Sequence, residues 1–278
     1  MFAAPPILET RIFAKITGKL SKAGQKSQWL DVQYGGAPMG SFLEGPSFDR
    51  EGNLWVTDIP FGRLFKIAPD GTIELAAEYD GWPNGLKFHQ DGRGFITDYK
   101  HGLMLLDPRS GKVEPYLARS LIERFTGLND LVFASNGDIY FTDQGQTGLQ
   151  DPSGRLYRLR GSGKLELVLE RIPSPNGLVL SLDEKIVYLC VTRDNAVWRV
   201  PLMADGTPSK VGAFIRLSGG TGPDGMAMDE QGNFAVCHVG FGTVWLFSPI
   251  GEPLYRIKSA AGLGTTNCAY GGKDNKTL

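Results

Sequence analysis

Cysteine is scarce in this 278-residue chain: Cys190, Cys237 and Cys268 are the only three. An odd, widely separated set builds neither a disulfide framework nor a Cys-x-x-Cys metal or redox pair. They read as small buried hydrophobes in a reducing compartment. Histidine is as rare, with His89, His101 and His238 and no His-x-x-x-His pair, so a zinc site of nitrogen or thiolate ligands lacks candidates. An excess of one charge is also missing. Lys plus Arg number 29 against 30 Asp plus Glu, a net charge of −1 without blocks of either sign. That leaves no basic footprint for nucleic acid or an anionic membrane surface. No window approaches 18 apolar residues, and the opening MFAAPPILETRIFAKI has no basic region followed by an apolar stretch. The expectation is a soluble, cytoplasmic chain with no membrane partner. Gly-x-Ser-x-Gly, Gly-x-x-x-x-Gly-Lys-Ser/Thr and Gly-x-Gly-x-x-Gly are all absent, which speaks against serine-hydrolase, nucleotide and dinucleotide chemistry.

Glycine, in contrast, is abundant, 37 residues in all, which favours many tight turns. Aligned with itself, the chain repeats: Glu44-Gly-Pro-Ser-Phe48, Asn84-Gly-Leu-Lys-Phe88, Asn129-Asp-Leu-Val-Phe133, Asn176-Gly-Leu-Val-Leu180, Asp224-Gly-Met-Ala-Met228 and Asn267-Cys-Ala-Tyr-Gly271. A period of 40 to 48 residues belongs to propeller blades or helical arrays. The first five segments decide for β, because their positions two and four after the leading residue are apolar or Pro, the alternation of a strand. Turn signals and second strands such as Leu54 to Thr57 and Ile139 to Thr142 follow. Third strands such as Arg63 to Ile67 come next, then outer strands such as Ile73 to Ala76. Four antiparallel strands per repeat make a propeller blade. The expectation is an all-β, six-bladed β-propeller spanning 1–278 as one domain, its last blade incomplete. Residues 1–40 would help to close the ring through an outer strand at Glu9 to Ile16.

The residue opening each repeat, Glu44, Asn84, Asn129, Asn176, Asp224 or Asn267, always carries a side-chain oxygen. Rotational pseudo-symmetry would set these positions at one height facing a central channel. Two carboxylates and several amide oxygens suit a hard divalent cation. Ca²⁺ comes first, with Mg²⁺, Mn²⁺ or Zn²⁺ as alternatives. Asn, Asp and Gly are also ordinary turn formers, which accounts for any single Pro-Asn-Gly. Turn chemistry accounts less well for six oxygens in register, above all for Glu44. Thr57-Asp58, Thr97-Asp98 and Thr142-Asp143 close three second strands, and their repetition argues for a structural hydrogen-bond role. Trp82, Phe61, Tyr99, His101 and Phe241 fall in loops, where they pack locally or wall a pocket.

Glu44-Gly-Pro with Gly52-Asn-Leu-Trp-Val-Thr-Asp58, Pro175-Asn-Gly-Leu178 and Pro223-Asp-Gly-Met226 resemble the senescence marker protein, gluconolactonase and regucalcin family over about residues 40 to 278. The resemblance implies a six-bladed propeller holding a divalent metal, commonly Ca²⁺, and hydrolysing lactones. By motif it makes Glu44, Asn176 and Asp224 metal ligands and Asn129 a contact to metal or substrate. It gives Asp224 the catalytic role, with Asp130 and Asp143 as runner-up bases. Asn84, Trp82, Asn129 and Asn267 are then the substrate-facing set. Gly127 stands where regucalcin-like members carry a sugar-binding Arg, which argues against a sugar-acid lactone. Asn129-Asp130 with Tyr140-Phe-Thr-Asp143 is more similar to the bacterial lactonases of broader range. A phosphotriester hydrolase on a similar metal propeller and a non-catalytic binding propeller are the alternatives.

Overall fold

Alternating apolar positions flanked by Asp/Asn/Gly turns produce five four-stranded antiparallel sheets, the blades of an all-β propeller fold. The computed structural model describes residues 4–120, 122–272 and 274–278. Within each blade the four antiparallel strands pair in chain order, and in the last a short strand, Ile7–Glu9, adds in parallel at the outer edge. The turn between the first two strands of a sheet is built by side chains. The Asp49 carboxylate accepts from the Asn53 backbone N–H at 2.8 Å and from the Trp55 indole N–H at 2.8 Å. Asp229 and Asn233 repeat the backbone contact at 2.8 Å. Gly52 at φ 80° and Gly232 at φ 82° supply the left-handed residue each of these turns needs.

The chain divides into two compact units. One comprises Phe13–Leu128 with Gly271–Thr277 and holds two four-stranded sheets and the short pairing of Arg119–Ser120 with Glu123–Arg124. Its first sheet is Leu43–Phe48, Leu54–Asp58, Arg63–Ile67 and Ile73–Glu78. Its second is Pro83–Phe88, Gly94–Asp98, Gly102–Asp107 and Lys112–Leu117. Trp55, Leu64, Leu86, Ile96, Met104 and Leu106 fill the space between them. Each fully buried aliphatic side chain of this kind contributes about 1.5–3 kcal/mol. A short helix, Gln28–Tyr34, precedes the first sheet. The Ser27 hydroxyl caps it by accepting from the Leu30 N–H at 3.2 Å, and Gly35 ends it in the left-handed conformation. Its Trp29 and Leu30 pack on Ile59, Phe61 and Trp82.

The other unit comprises residues up to Ile12, Asn129–Tyr270 and Leu278, and holds three sheets. They are built from Leu128–Phe133, Ile139–Asp143, Gly154–Leu159 and Leu165–Ile172; from Pro175–Leu180, Ile186–Val191, Ala196–Pro201 and Gly212–Arg216; and from Gly222–Met228, Phe234–Val239, Thr243–Phe247 and Pro253–Lys258. Two cores alternate with them: Leu156, Ile172, Leu178, Val187 and Leu189 in one, Val197, Ile215, Met226, Phe234 and Val236 in the other. All three cysteines are buried here, as expected of small apolar residues.

Two expectations are corrected. Six repeat starts predict six blades, whereas the described residues form five. Among the described residues Asn267 opens no sixth sheet, and Gly271 and Thr277 make one isolated bridge. The outer strand expected at Glu9 to Ile16 lies instead at Ile7–Glu9, parallel to Pro253–Lys258. Ala14 and Ile16 are taken up by another contact, packing on Val56, Phe65 and Ile67.

Candidate functional site

Four of the residues that open the repeats, Glu44, Asn84, Asn176 and Asp224, sit at breaks in the β-ladder. In the second sheet Asn84 and Gly85 together stand opposite Thr97, between the pairs Pro83/Asp98 and Leu86/Ile96. Asn176 and Gly177 stand opposite Cys190, and Asp224 and Gly225 opposite Cys237, in the same way. In the first sheet the break falls immediately after Glu44, at Gly45 and Pro46. Two residues against one is a β-bulge, which bends the strand and re-aims its side chains. The Asn-Gly and Asp-Gly pairs are therefore bulges inside strands. The glycine has its own reason. A Cβ on Gly177 would stand 2.7 Å from both the Asp224 carbonyl oxygen and the Gly225 Cα, and one on Gly45 would overlap the Asn84 carbonyl. Only a bare backbone lets neighbouring first strands approach this closely. Asp130 and Cys268 take the place of that glycine in the third and sixth repeats.

In the unit that carries Asn129, Asn176, Asp224 and Asn267, hydrogen bonds set the orientation of the amides. The Thr192 hydroxyl donates to the Pro223 carbonyl at 2.8 Å, so its oxygen accepts from the Asn176 side-chain nitrogen at 3.2 Å. That commits the nitrogen end of Asn176 and turns its oxygen the other way. Asn129 donates through its side-chain nitrogen to Gln144 Oε1 at 2.9 Å. Asn129 and Asn176 are each 5% exposed, and Asp130 is 2% exposed. Asp130 Oδ1 accepts from the Leu131 N–H at 2.8 Å, and its Oδ2 from the Asn267 side chain at 3.4 Å. Burial pushes the Cys190 thiol well above its ordinary pKa, and the charges of Asp224 and Asp130 push it further. Cys190 is thus an inert thiol within the field of two carboxylates.

The Thr-Asp pairs work as braces. Thr57 donates to the Asn84 carbonyl at 2.7 Å and Thr142 to the Asn176 carbonyl at 2.9 Å, each linking one sheet to the bulge of the next. The aspartates hold the loop that enters their own sheet. Asp58 accepts from the Phe42 N–H and from the buried Arg63, while Asp98 accepts from the Trp82 N–H and the Tyr79 hydroxyl. Asp143, opposite Arg155 in register, repeats the Asp58–Arg63 placement. In the fifth sheet His238 takes this position, opposite Pro223. Its Nε2 meets the Gly219 carbonyl at 2.9 Å, and its Nδ1 accepts from the Trp245 indole at 3.1 Å. Gln144, Ser174 and Thr192 have no place in the repeat motifs, so sequence reasoning passed over them, and it took His238 only as one of three scattered histidines. Ser174 leaves one signal, the Ser-Pro immediately before Asn176.

In the other unit Glu44 is 5% exposed, and its Oε2 accepts from the Gly45 N–H at 3.2 Å. Asn84 is buried, and Trp82 is half-buried against Trp29, Leu30 and Tyr99. His101 Nε2 bonds the Asp80 carbonyl at 2.6 Å, and Phe241 stacks on His238, so both engage their own loops. Among the described residues no three His, Cys, Asp or Glu side chains gather into a metal cluster. Carboxamides with their nitrogens committed, beside carboxylates, fit a hard cation that takes neutral and anionic oxygen together.

The SMP-30/Gluconolactonase/LRE-like region matches residues 42–278. A lactonase, drp35, from Staphylococcus aureus strain MW2 is 31% identical over 243 residues, covering 82% of this chain and 72% of its own. Its Staphylococcus epidermidis counterpart is 33% identical over 227 residues, covering 77% and 69%. Among solved structures, a gluconolactonase from Xanthomonas campestris aligns with a TM-score of 0.74 at 23% identity, covering 90% of this chain and 88% of that one. A calcium-binding regucalcin from Agrobacterium tumefaciens aligns with a TM-score of 0.72 at 26% identity, covering 84% and 79%.

Proposed function

The chain belongs to the SMP-30/Gluconolactonase/LRE-like family, and on that premise we propose that it hydrolyses the ester bond of a small lactone with the help of a divalent cation, Ca²⁺ first among the candidates. The observation that carries this reading is the set of bulges at Asn176 and Asp224, with the committed amide nitrogens of Asn129 and Asn176. Asn129, Asn176 and Asp224 would hold the cation, and the family resemblance adds Glu44. When bound, the cation supplies Lewis acidity toward the lactone carbonyl and makes water more acidic.

Asp224 takes the proton of the attacking water. The water oxygen adds to the carbonyl carbon, the ring C–O bond breaks as the ring oxygen takes the proton back from Asp224, and the carboxylic acid of the product releases its own proton at neutral pH. Asn267 and Asn129 orient the substrate, with Asn84 and Trp82 the further substrate contacts. Asp130, buried and bonded to Asn267, is the runner-up base ahead of Asp143, whose register opposite Arg155 suits a brace.

The test is proton release from an aromatic lactone, an aliphatic lactone, gluconolactone and a phosphotriester. The reading predicts turnover of at least one lactone in preference to the phosphotriester, with the non-sugar lactones ahead of gluconolactone because Gly127 offers no cationic side chain. Turnover of the phosphotriester alone, or of no substrate, contradicts it.

A further inference from the structure

We propose that Gln144 and Ser174 are positioning residues that choose which end of the Asn129 carboxamide is presented to the cation; this rests on the function proposed above. An asparagine amide has nearly the same shape in both orientations, yet its oxygen attracts a cation and its NH₂ group repels one. Only the hydrogen-bond partner behind it decides between them. For Asn176 that partner is Thr192. For Asn129 it is Gln144, which follows the strand Ile139–Asp143 and accepts from Asn129 Nδ2 at 2.9 Å.

Gln144 is another amide and needs fixing in its turn. Its Nε2 donates to Ser174 Oγ at 3.0 Å. Ser174 is 5% exposed and sits at φ 64°, a left-handed conformation that a serine before proline rarely adopts. Three contacts hold it there: its N–H donates to Thr147 Oγ1 at 3.0 Å, its carbonyl accepts from the Thr192 N–H at 3.0 Å, and its hydroxyl accepts from Gln144. Thr147 closes the loop by donating to the Gln144 carbonyl at 2.6 Å. Backbone strain kept in place by this many contacts is characteristic of functional sites. The chain from Asn129 through Gln144 to Ser174 couples the bulge of Asn176 to the side-chain orientation of Asn129, two of the residues proposed to share one cation.

The test is calorimetric titration of the chelator-treated full chain with CaCl₂, with thermal melts in chelator measured alongside. Gln144→Met keeps the length of the side chain and removes both polar contacts. It is expected to weaken Ca²⁺ binding by about 10–100-fold, the range for outer partners of metal ligands, in a chain that still folds cooperatively in chelator with a melting temperature lowered by the unpartnered Asn129 and Ser174 groups. Gln144→Glu can still accept from Asn129 and adds negative charge, so it is expected to keep or exceed the wild-type affinity. If Gln144→Met does not fold, Ser174→Ala, which removes only the hydroxyl, is expected to weaken Ca²⁺ in the same direction. Wild-type affinity in a folded Gln144→Met, or equal losses in the Met and Glu variants, overturns the positioning role and leaves the cation reading standing. A wild-type chain that takes up no Ca²⁺ overturns both.

Discussion

The Thr142 hydroxyl accepts from the Asp130 N–H at 3.1 Å and donates to the Asn176 carbonyl at 2.9 Å, joining the first strands of two successive sheets through one oxygen. Thr57 makes the donor half of this link to Asn84, and Thr192 makes it to Pro223. The residues of the candidate site are therefore placed by their neighbours in the adjoining sheet as much as by their own strand.

Removing that oxygen without changing shape isolates its contribution. Thr142→Val leaves the Asp130 N–H and the Asn176 carbonyl buried and short of a partner, which costs about 1–3 kcal/mol. Denaturant unfolding is expected to show that loss, with Thr142→Ser recovering most of it. A Val variant as stable as wild type would mean the brace is not needed.

The close approach at Gly177 is a second point of leverage. Gly177→Ala would set a methyl group 2.7 Å from backbone atoms of Asp224 and Gly225, with no flexible side chain there to yield. Overpacking of this kind costs about 1–3 kcal/mol, and it displaces Asp224 itself. The expected result is a lowered melting temperature together with loss of turnover. Gly212→Ala, with open space around the new Cβ, serves as the control and leaves both unchanged.

His238 gives stability a pH dependence of defined sign. Burial is the main cause that lowers its pKa below the ordinary histidine value, and Arg256 adds to this while the Gly219 contact opposes it. A folded-state pKa below the unfolded one means the unfolded chain binds more protons. The stabilisation is therefore present above about pH 6.5 and is lost as pH falls below it. Protonation also turns Nδ1 into a donor facing the Trp245 indole N–H. Melting temperatures are expected to drop from pH 7.5 to 5.5, and His238→Gln is expected to flatten that slope. An unchanged slope in the variant would assign the dependence to other groups.

The strands were legible because side-chain alternation and Asp/Gly turns recur five times, and the third strand expected at Arg63 to Ile67 begins and ends at those residues. The sixth repeat was read from its opening residue alone: Asn267 copies that residue, but the described residues after it form no blade. The Asn-Gly pairs were recognised, but as turn formers or ligands. That they are bulges depends on the register with the second strand, which a single strand's sequence does not carry. Gln144 and Ser174 were invisible for a similar reason: their importance lies in contacts between residues 15 and 30 positions apart. The helix at Gln28–Tyr34 did leave a local signal, Ser27 before it and Gly35 after it, too short to give a helical period.

The most direct test is lactone turnover by metal-stripped protein as Ca²⁺ is returned, with Asp224→Asn, Glu44→Gln and Asn84→Ala run beside wild type. Wild-type activity is expected to be lost on stripping and restored by the cation. Asp224→Asn and Glu44→Gln should stay largely inactive at any Ca²⁺ concentration, and Asn84→Ala should lose less. Full turnover in the stripped enzyme, or wild-type turnover in Asp224→Asn, would contradict the account.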